Sequence, residues 1–366
     1  MKFGKKYSVF IETEAQQVLP ECSCVEFKRL KKLLKKCPSH DGSTGFPPEP
    51  HTIEDAHGDS SLELGTESCS QRGSPDDDAA EPSSCAVCDD QFFPELARAV
   101  SSVVDCFTTS SRQLRSLHLA SGPKKLYLRF KTKIPPDTPN MIRFGNLLVS
   151  YGCMNALAIR KILKKYDKIH GSHGGRAFQT KLQAMRAELL QSPWLVELGA
   201  LAINLMEPKV SRSVRAKDKL SQTDESNEAQ PGKIWSCNLD TEKQTLSCVV
   251  PGAVQLDFNL QCSICLDIVF DPVALSCGHI FCCSCACAAA SIPTFQGIRA
   301  ARRGSKCPLC RQAAVYTHAI HLQELAVLIK IRCGEYFNAR REEEREKRVK
   351  EAKEHWERET AAIMGF

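Results

Sequence analysis

Eight cysteine and histidine positions near the C-terminal end constrain this chain more than anything else in it. They are Cys262, Cys265, Cys277, His279, Cys282, Cys285, Cys307 and Cys310. They fall into the pairs Cys-x-x-Cys, Cys-x-His, Cys-x-x-Cys and Cys-x-x-Cys, with longer loops between. Zinc takes four nitrogen or sulfur ligands in a tetrahedron, and such short spacings let two ligands on one turn reach one ion. Eight ligands therefore make two closed sites, with two Zn2+ ions as structural cofactors and no position open for a catalytic water. Metal binding supplies folding free energy that so small and core-poor a segment lacks. The chain has twenty cysteines, nine of them between Cys262 and Cys310. The opening MKFGKKYSVF is basic and is followed by no apolar signal-peptide core. In a reducing compartment clustered cysteines read as metal ligands and not as disulfides. Cys283 and Cys287 are surplus to the pattern and read as packing thiols. The isolated Cys85-x-x-Cys88 has no second pair at zinc spacing and reads as structural.

The order of three cysteines, one histidine and four cysteines resembles the RING finger family. The resemblance implies cross-bracing, with Cys262, Cys265, Cys282 and Cys285 on one ion and Cys277, His279, Cys307 and Cys310 on the other. It also implies ubiquitin-ligase activity and contacts with a ubiquitin-conjugating enzyme. Ile264 stands between the first ligand pair, and Pro308 and Leu309 stand between the last. These are the family's positions for a shallow apolar groove that receives that enzyme. Arg311 follows the last ligand, where a cation bridges the conjugating enzyme and its ubiquitin. A planar guanidinium suits that task, because it can donate to two carbonyls at once. The tryptophan common after the sixth ligand is absent from CACAAASIP, leaving Ile292 or Pro293 in its place. The implied mechanism needs no nucleophile on this chain. The RING holds the charged conjugating enzyme with its thioester in near-attack geometry. A purely structural zinc module is the competing reading.

Charge is unevenly placed upstream. Residues 1–37 hold nine Lys/Arg against four Asp/Glu, residues 38–95 hold one against fourteen, and residues 96–176 hold fifteen against three. A basic domain with an acidic insertion describes this, and it calls for an anionic partner. Residues 25–36 (VEFKRLKKLLKK) have helical periodicity, with Phe27, Leu30 and Leu34 on one stripe. In LAIRKILKKYDKIH (157–170), Lys161, Lys164, Lys165 and Lys168 recur at i, i+3, i+4 and i+7, opposite Ile162, Leu163, Tyr166 and Ile169. With the opening MKFGKKY, these segments resemble the SPX domain over about residues 1–170. That resemblance implies a helical bundle whose lysines bind inositol polyphosphates, above all inositol pyrophosphates. Carried over by position, Lys31 and Lys165 fall in the phosphate-binding cluster and Lys161, Lys164 and Lys168 in a neighbouring one, with Lys2 and Lys28 as additions. Phe27 stands where many members have a tyrosine, so one phosphate hydrogen bond is missing. Nucleic acid is disfavoured, because aromatic platforms and base-reading side chains are not interleaved with the charge. An anionic membrane surface is the harder rival to exclude.

Further along the chain, 92–120 has helical periodicity and 126–133 suits either helix or strand. A long helix is expected from about Asn140 to Ile169 with an interruption near Gly152, and more helix over 177–206 split at Pro193. RREEEREKRVKEAKEHWERE (340–359) reads as an exposed helix with solvated faces, stapled by Glu343–Lys347, Glu344–Arg348 and Glu346–Lys350. The expected fold is multidomain and mainly α: an N-terminal α-helical SPX bundle, a small zinc-dependent α+β RING finger and a C-terminal helix. The expected boundaries are 1–170 for the SPX domain (with 38–91 an acidic disordered insertion), 171–206 for a helical extension and 207–235 for a linker. Short strands over 236–261, the RING finger at 262–311 and a helical tail at 312–366 follow. An SPX domain joined to a RING resembles the plant nitrogen limitation adaptation family of SPX-RING ubiquitin ligases. That resemblance implies a role in phosphate and nitrate balance, with membrane phosphate transporters as protein substrates. WLVELGALAINL (194–205) is the longest apolar stretch, and it is too short to span a bilayer. The expected compartment is the cytoplasm or nucleus, with peripheral recruitment to the plasma membrane. The alternative from another class is a non-enzymatic adaptor gated by inositol phosphates.

Overall fold

The structure is a computed structural model of the 366-residue chain. It describes residues 3–15, 19, 22–35, 86–132, 134, 135, 137–184, 188–206, 236–250 and 254–364. Lys2, Cys85, the linker at 207–235 and residues 38–85 of the acidic insertion lie outside the described residues. The helices are α1 (Phe3–Phe10, continued by a π-helical turn at Ile11–Ala15), α2 (Phe27–Lys35), α3 (Ala86–Leu119), α4 (Gly122–Lys131) and α5 (Thr138–His170). They are followed by α6 (Gly174–Ala184) and α7 (Pro193–Met206). Strands β1 (Ser236–Asp240), β2 (Thr245–Val250) and β3 (Val254–Asn259) form one sheet in that order. A second sheet has the order β5-β4-β6, from β4 (Pro272–Ala274), β5 (Ile280–Cys282) and β6 (Ile320–His321). Helices α8 (Cys283–Ala289), α9 (Gln323–Arg332) and α10 (Gly334–Met364) complete the set. Among the described residues the chain is thus mainly helical, with small strands confined to its C-terminal part.

The residues divide into two compact units. One is drawn from Met1–Thr109 and Tyr151–Leu190, the other from Ser110–Ser150, Gln191–Pro251 and Gln255–Phe366. In the first unit, apolar side chains at helical spacing make the core: Leu30 and Leu34 of α2, Leu96, Val103 and Phe107 of α3, and Ile162 and Tyr166 of α5 are buried. Asn155 of α5 is also fully buried, and its oxygen accepts from the Val25 N–H (2.9 Å) and from the Tyr7 hydroxyl (2.8 Å). Its amide donates to the Tyr151 carbonyl at 2.8 Å. One satisfied side chain therefore ties α1 and the entry to α2 onto α5. Cys22 and Cys106 are joined by a disulfide with Cα atoms 5.7 Å apart, a pairing that the reading of clustered cysteines did not anticipate. The expected interruption near Gly152 does not occur, since α5 is continuous from Thr138 to His170. Gly152 is a contact position: a Cβ there would stand 3.1 Å from the Phe107 ring.

In the second unit, α7 buries Trp194, Leu195, Val196, Leu198, Leu201 and Ile203. Glu197 sits in the middle of this apolar run and is only 1% exposed. Its carboxylate accepts the backbone N–H groups of Glu324 (3.0 Å) and Leu325 (3.3 Å), in the first turn of α9, and pairs with Arg115 Nη1 at 3.5 Å. Helix N-termini leave such N–H groups without intrahelical partners, so a buried carboxylate there works as a cap. Glu324 in turn takes the Asn204 amide (2.9 Å) and the His118 Nδ1 (2.7 Å). Arg115 also donates to the His321 carbonyl at 2.9 Å and lies 4.9 Å from the Trp194 ring centroid. Burial pushes the Glu197 carboxyl up to about 7, against the lowering effect of the Glu324 N–H and of Arg115.

Candidate metal centre and lysine face

The two zinc ligand pairs that flank the module have one local geometry. After β3, a bridge between Gln261 and Ile268 closes a turn in which the Leu266 N–H donates to the Cys262 carbonyl at 2.8 Å. At the far end a bridge between Lys306 and Ala313 closes a second turn, with the Arg311 N–H donating to the Cys307 carbonyl at 2.9 Å. In both turns the residue after the second cysteine has left-handed backbone, φ 64° at Leu266 and φ 57° at Arg311. That bend lets two cysteines three residues apart point at one ion. Between β4 and β5 the turn through Gly278 (φ 90°) presents Cys277 and His279, with the Leu275 N–H donating to the His279 carbonyl at 2.9 Å. Cys282 ends β5, and Cys285 lies in the first turn of α8.

These elements bring the eight residues into two quartets. Cys262, Cys265, Cys282 and Cys285 have their ligand atoms within 4.8 Å of one another, and so do Cys277, His279, Cys307 and Cys310. A zinc ion with sulfur bonds of about 2.3 Å has S···S edges of roughly 3.8 Å. The Cys265 and Cys282 sulfurs are 3.7 Å apart, and His279 Nδ1 lies 3.4 Å from the Cys277 sulfur and 3.6 Å from that of Cys307. The residues thus fit two zinc ions in the cross-braced pairing, each with four protein ligands. The Phe270 N–H points at the Cys282 sulfur (3.2 Å), which is the outer-sphere support a metal thiolate needs. Asp271, Cys283 and His321 also bring three ligand atoms within that spread. The Cys283 thiol is hydrogen-bonded to Cys287 one turn away and lies in the fields of Asp271 and the Arg348 guanidinium.

On the surface of the module Ile264, Pro308, Leu309 and Arg311 are all exposed. Leu266, 65% exposed, adds an apolar side chain that the spacing argument passed over. Its signal was available, since it occupies in the first turn the place of Arg311 in the second. Ile292 and Pro293 are half-buried. The C-terminal helix has no buried residue, as an exposed helix implies, but one of its faces makes contacts that a fully solvated helix would lack. Tyr336 donates to the Ile268 carbonyl at 2.7 Å, Phe337 packs at a tilt against Phe270 with ring centroids 5.0 Å apart, and Glu344 accepts from Ser284 at 2.6 Å. Glu351 accepts from the Thr294 N–H (3.0 Å) and hydroxyl (2.7 Å). One face of α10 lies along the zinc module because its acids meet donors there. Glu344 pairs with Arg340 at 3.1 Å.

In the first unit the lysine face forms much as its periodicity implies. Lys161, Lys164 and Lys168 are exposed on α5, and Lys165 is half-buried. Partial burial, followed by the ammonium groups of Lys31, Lys35 and Lys168, holds the Lys165 ammonium below its usual range. Four lysines of α2 and α5 therefore share one field, and Lys35 is one that position-by-position reasoning missed. Lys164 and Lys168 also line a cleft of about 550 Å³ with Asp167, His173 and Arg176. Lys161 points elsewhere, its Nζ 5.1 Å from the Phe3 ring centroid. Lys28 is exposed in the first turn of α2. Phe27 packs edge-on to Phe3 and Tyr7, with centroids 5.5 and 6.2 Å away.

Comparison with known proteins bears on both regions. The family described as Zinc finger, C3HC4 type (RING finger) matches residues 262–310. Over the full length of both chains the sequence is 39% identical to the probable E3 ubiquitin-protein ligase BAH1-like 1 of Oryza sativa subsp. indica. It is 38% identical to the probable E3 ubiquitin-protein ligase BAH1-like of Arabidopsis thaliana and 40% identical to the E3 ubiquitin-protein ligase NLA of the same plant, again end to end. No solved structure matches the chain.

Proposed function

The chain belongs to the plant BAH1-like and NLA family of RING-type E3 ubiquitin ligases, and from that premise we propose how its own residues carry the activity and its control. The two zinc ions supply no chemistry of their own when bound; they hold the two knuckle turns in place. Ile264, Leu309 and Pro308 form the contact for the ubiquitin-conjugating enzyme. Arg311 donates to backbone carbonyls of that enzyme and of its ubiquitin, which holds the thioester in near-attack geometry for a substrate lysine. The supporting observation is the pair of matched turns, which leave these apolar residues and one guanidinium exposed at the metal sites. Exposed Leu266 belongs to the same surface. In a reconstituted assay with a panel of conjugating enzymes, Ile264→Ala and Arg311→Ala should each lower ubiquitin-chain formation by about tenfold or more, with zinc content unchanged. Undiminished chain formation in both variants would remove the assignment.

The N-terminal region, about residues 1–170, we read as an SPX domain whose lysine face binds inositol pyrophosphates. Ammonium groups suit a densely phosphorylated ring because each is a compact point charge with three donors. The shared field of Lys31, Lys35, Lys165 and Lys168 supports this reading. Membrane phosphate transporters are the proposed protein substrates. By calorimetry, Lys165→Ala should weaken inositol pyrophosphate binding about tenfold or more, far beyond any effect on RNA binding. Equal losses for both ligands would make the face a general polyanion surface. Chain formation measured with and without the pyrophosphate then tests whether the lysine face controls the RING.

A further inference from the structure

Helix α4, with the sequence GPKKLYLRFK, has no buried residue. Its largest apolar side chains are exposed: Phe130 is 91% exposed, Tyr127 63% and Leu126 55%. At about 100° per residue, Leu126, Phe130, Pro123 and Tyr127 fall within an arc of roughly 100°. Arg129 lies on one margin of that arc, and Lys124 and Lys131 on the other. Leu128 and Lys125, on the opposite side of the helix, are the residues only partly exposed. The helix is therefore amphipathic with its apolar face turned to solvent, the reverse of a helix that packs on a core. Nothing between Leu119 and Pro136 is acidic, and Lys133 extends the positive charge. The Lys131 ammonium lies 5.8 Å from the Tyr127 ring centroid, so one cation already rests on the aromatic edge of the arc.

We propose that α4 is a membrane-docking helix, which inserts Leu126, Tyr127 and Phe130 into an anionic bilayer surface while Lys124, Arg129 and Lys131 meet the lipid phosphates. Apolar residues flanked on both margins by cations match the layered chemistry of a bilayer interface, acyl chains below and headgroups beside. Size argues against a protein partner. A helix about 15 Å long and roughly 10 Å wide presents far less than the roughly 800 Å² per side of a stable protein interface. The proposal does not rest on the lysine face of the first unit or on the RING.

The test uses the full-length zinc-loaded chain and co-sedimentation with vesicles of phosphatidylcholine alone or mixed with phosphatidylserine. Binding should require phosphatidylserine. Phe130→Asp should weaken it by at least about tenfold, and the single changes Lys124→Ala and Lys131→Ala each by about fivefold. The far-UV spectrum and inositol hexakisphosphate binding of Phe130→Asp should match the wild type. Lys165→Ala should leave vesicle binding intact. A Phe130→Trp variant adds a direct probe, since its emission should shift to the blue on phosphatidylserine vesicles. Vesicle binding that survives Phe130→Asp, or that disappears in Lys165→Ala, would overturn the proposal. So would a wild-type dimer in analytical ultracentrifugation that Phe130→Asp converts to monomer, which would assign the face to a second copy of the chain.

Discussion

Replacing Glu197 with alanine should destabilise the C-terminal unit far more than a typical single substitution. The carboxylate is buried and accepts two amides from the first turn of α9, at 3.0 and 3.3 Å, with Arg115 at 3.5 Å. Alanine strands those two N–H groups in an apolar surrounding, at about 1–3 kcal/mol each. Arg115 keeps its bond to the His321 carbonyl (2.9 Å), so its loss is partial. The total is about 3–5 kcal/mol, the range measured when one partner of a buried pair is removed. Native-state hydrogen exchange at the Glu324 and Leu325 amides reads the effect locally. Exchange there should accelerate by about a hundredfold or more, while amides of α5 in the first unit keep wild-type rates. Glu197→Gln retains an acceptor and tests the charge. Burial raises the Glu197 carboxyl from 4.5 to about 7. Between those values the folded protein holds a proton that the unfolded chain has released. Its stability therefore falls as pH rises from about 4.5 to about 7 and levels off above, by about 3 kcal/mol in all. The glutamine variant should lose that slope, and its difference from wild type isolates Glu197 from His118 and Glu324. Wild-type exchange rates in Glu197→Ala, together with an unchanged slope in Glu197→Gln, would refute the reasoning.

Three smaller perturbations follow from local geometry. Gly175→Ala places a Cβ 2.6 Å from the Leu163 carbonyl and 2.8 Å from Asp167 Oδ1. It should cost about 1–3 kcal/mol in urea denaturation and weaken the start of α6. Glu351→Ala removes both Thr294 hydrogen bonds, and should raise exchange and proteolysis in the C-terminal half of α10 while leaving zinc content at two ions per chain. Chelation of zinc should unfold the segment from Cys262 to Cys310 but preserve the helical signal of the first unit, as followed by circular dichroism.

The zinc module was legible because its information is local. Tetrahedral coordination converts residue spacing directly into geometry, and the pairs Cys262/Cys265 and Cys307/Cys310 close turns that involve no distant partner. Helices α2 and α5 were legible for a similar reason, since lysines and apolar residues segregate at a period of 3.6. What escaped depends on partners far away in sequence. Glu197 reads as a defect in an apolar run until α9 supplies two amides more than a hundred residues later. Gly152 reads as a helix interruption until Phe107 is seen against it. The acids of α10 read as a solvated face because the donors that meet Glu344 and Glu351 lie on α8 and its following loop. Leu266 is different, for its place after the second cysteine matches that of Arg311 and could have been read from the spacing alone.

The dependence of α7 on α9 also bears on how this chain is made. Asn204 donates to Glu324 across 120 residues, so α7 leaves the ribosome long before the surface that covers it exists. At about 5–20 residues per second, that interval is roughly 6–24 s. During it a helix bearing Trp194, Leu195, Leu198 and Leu201 has neither its apolar cover nor the amides that Glu197 caps. A messenger truncated within 207–235, at the boundary that composition suggests, makes this state permanent. Such a fragment should be retained by chaperones and recovered in inclusion bodies, whereas a chain extended through α9 stays in the soluble fraction.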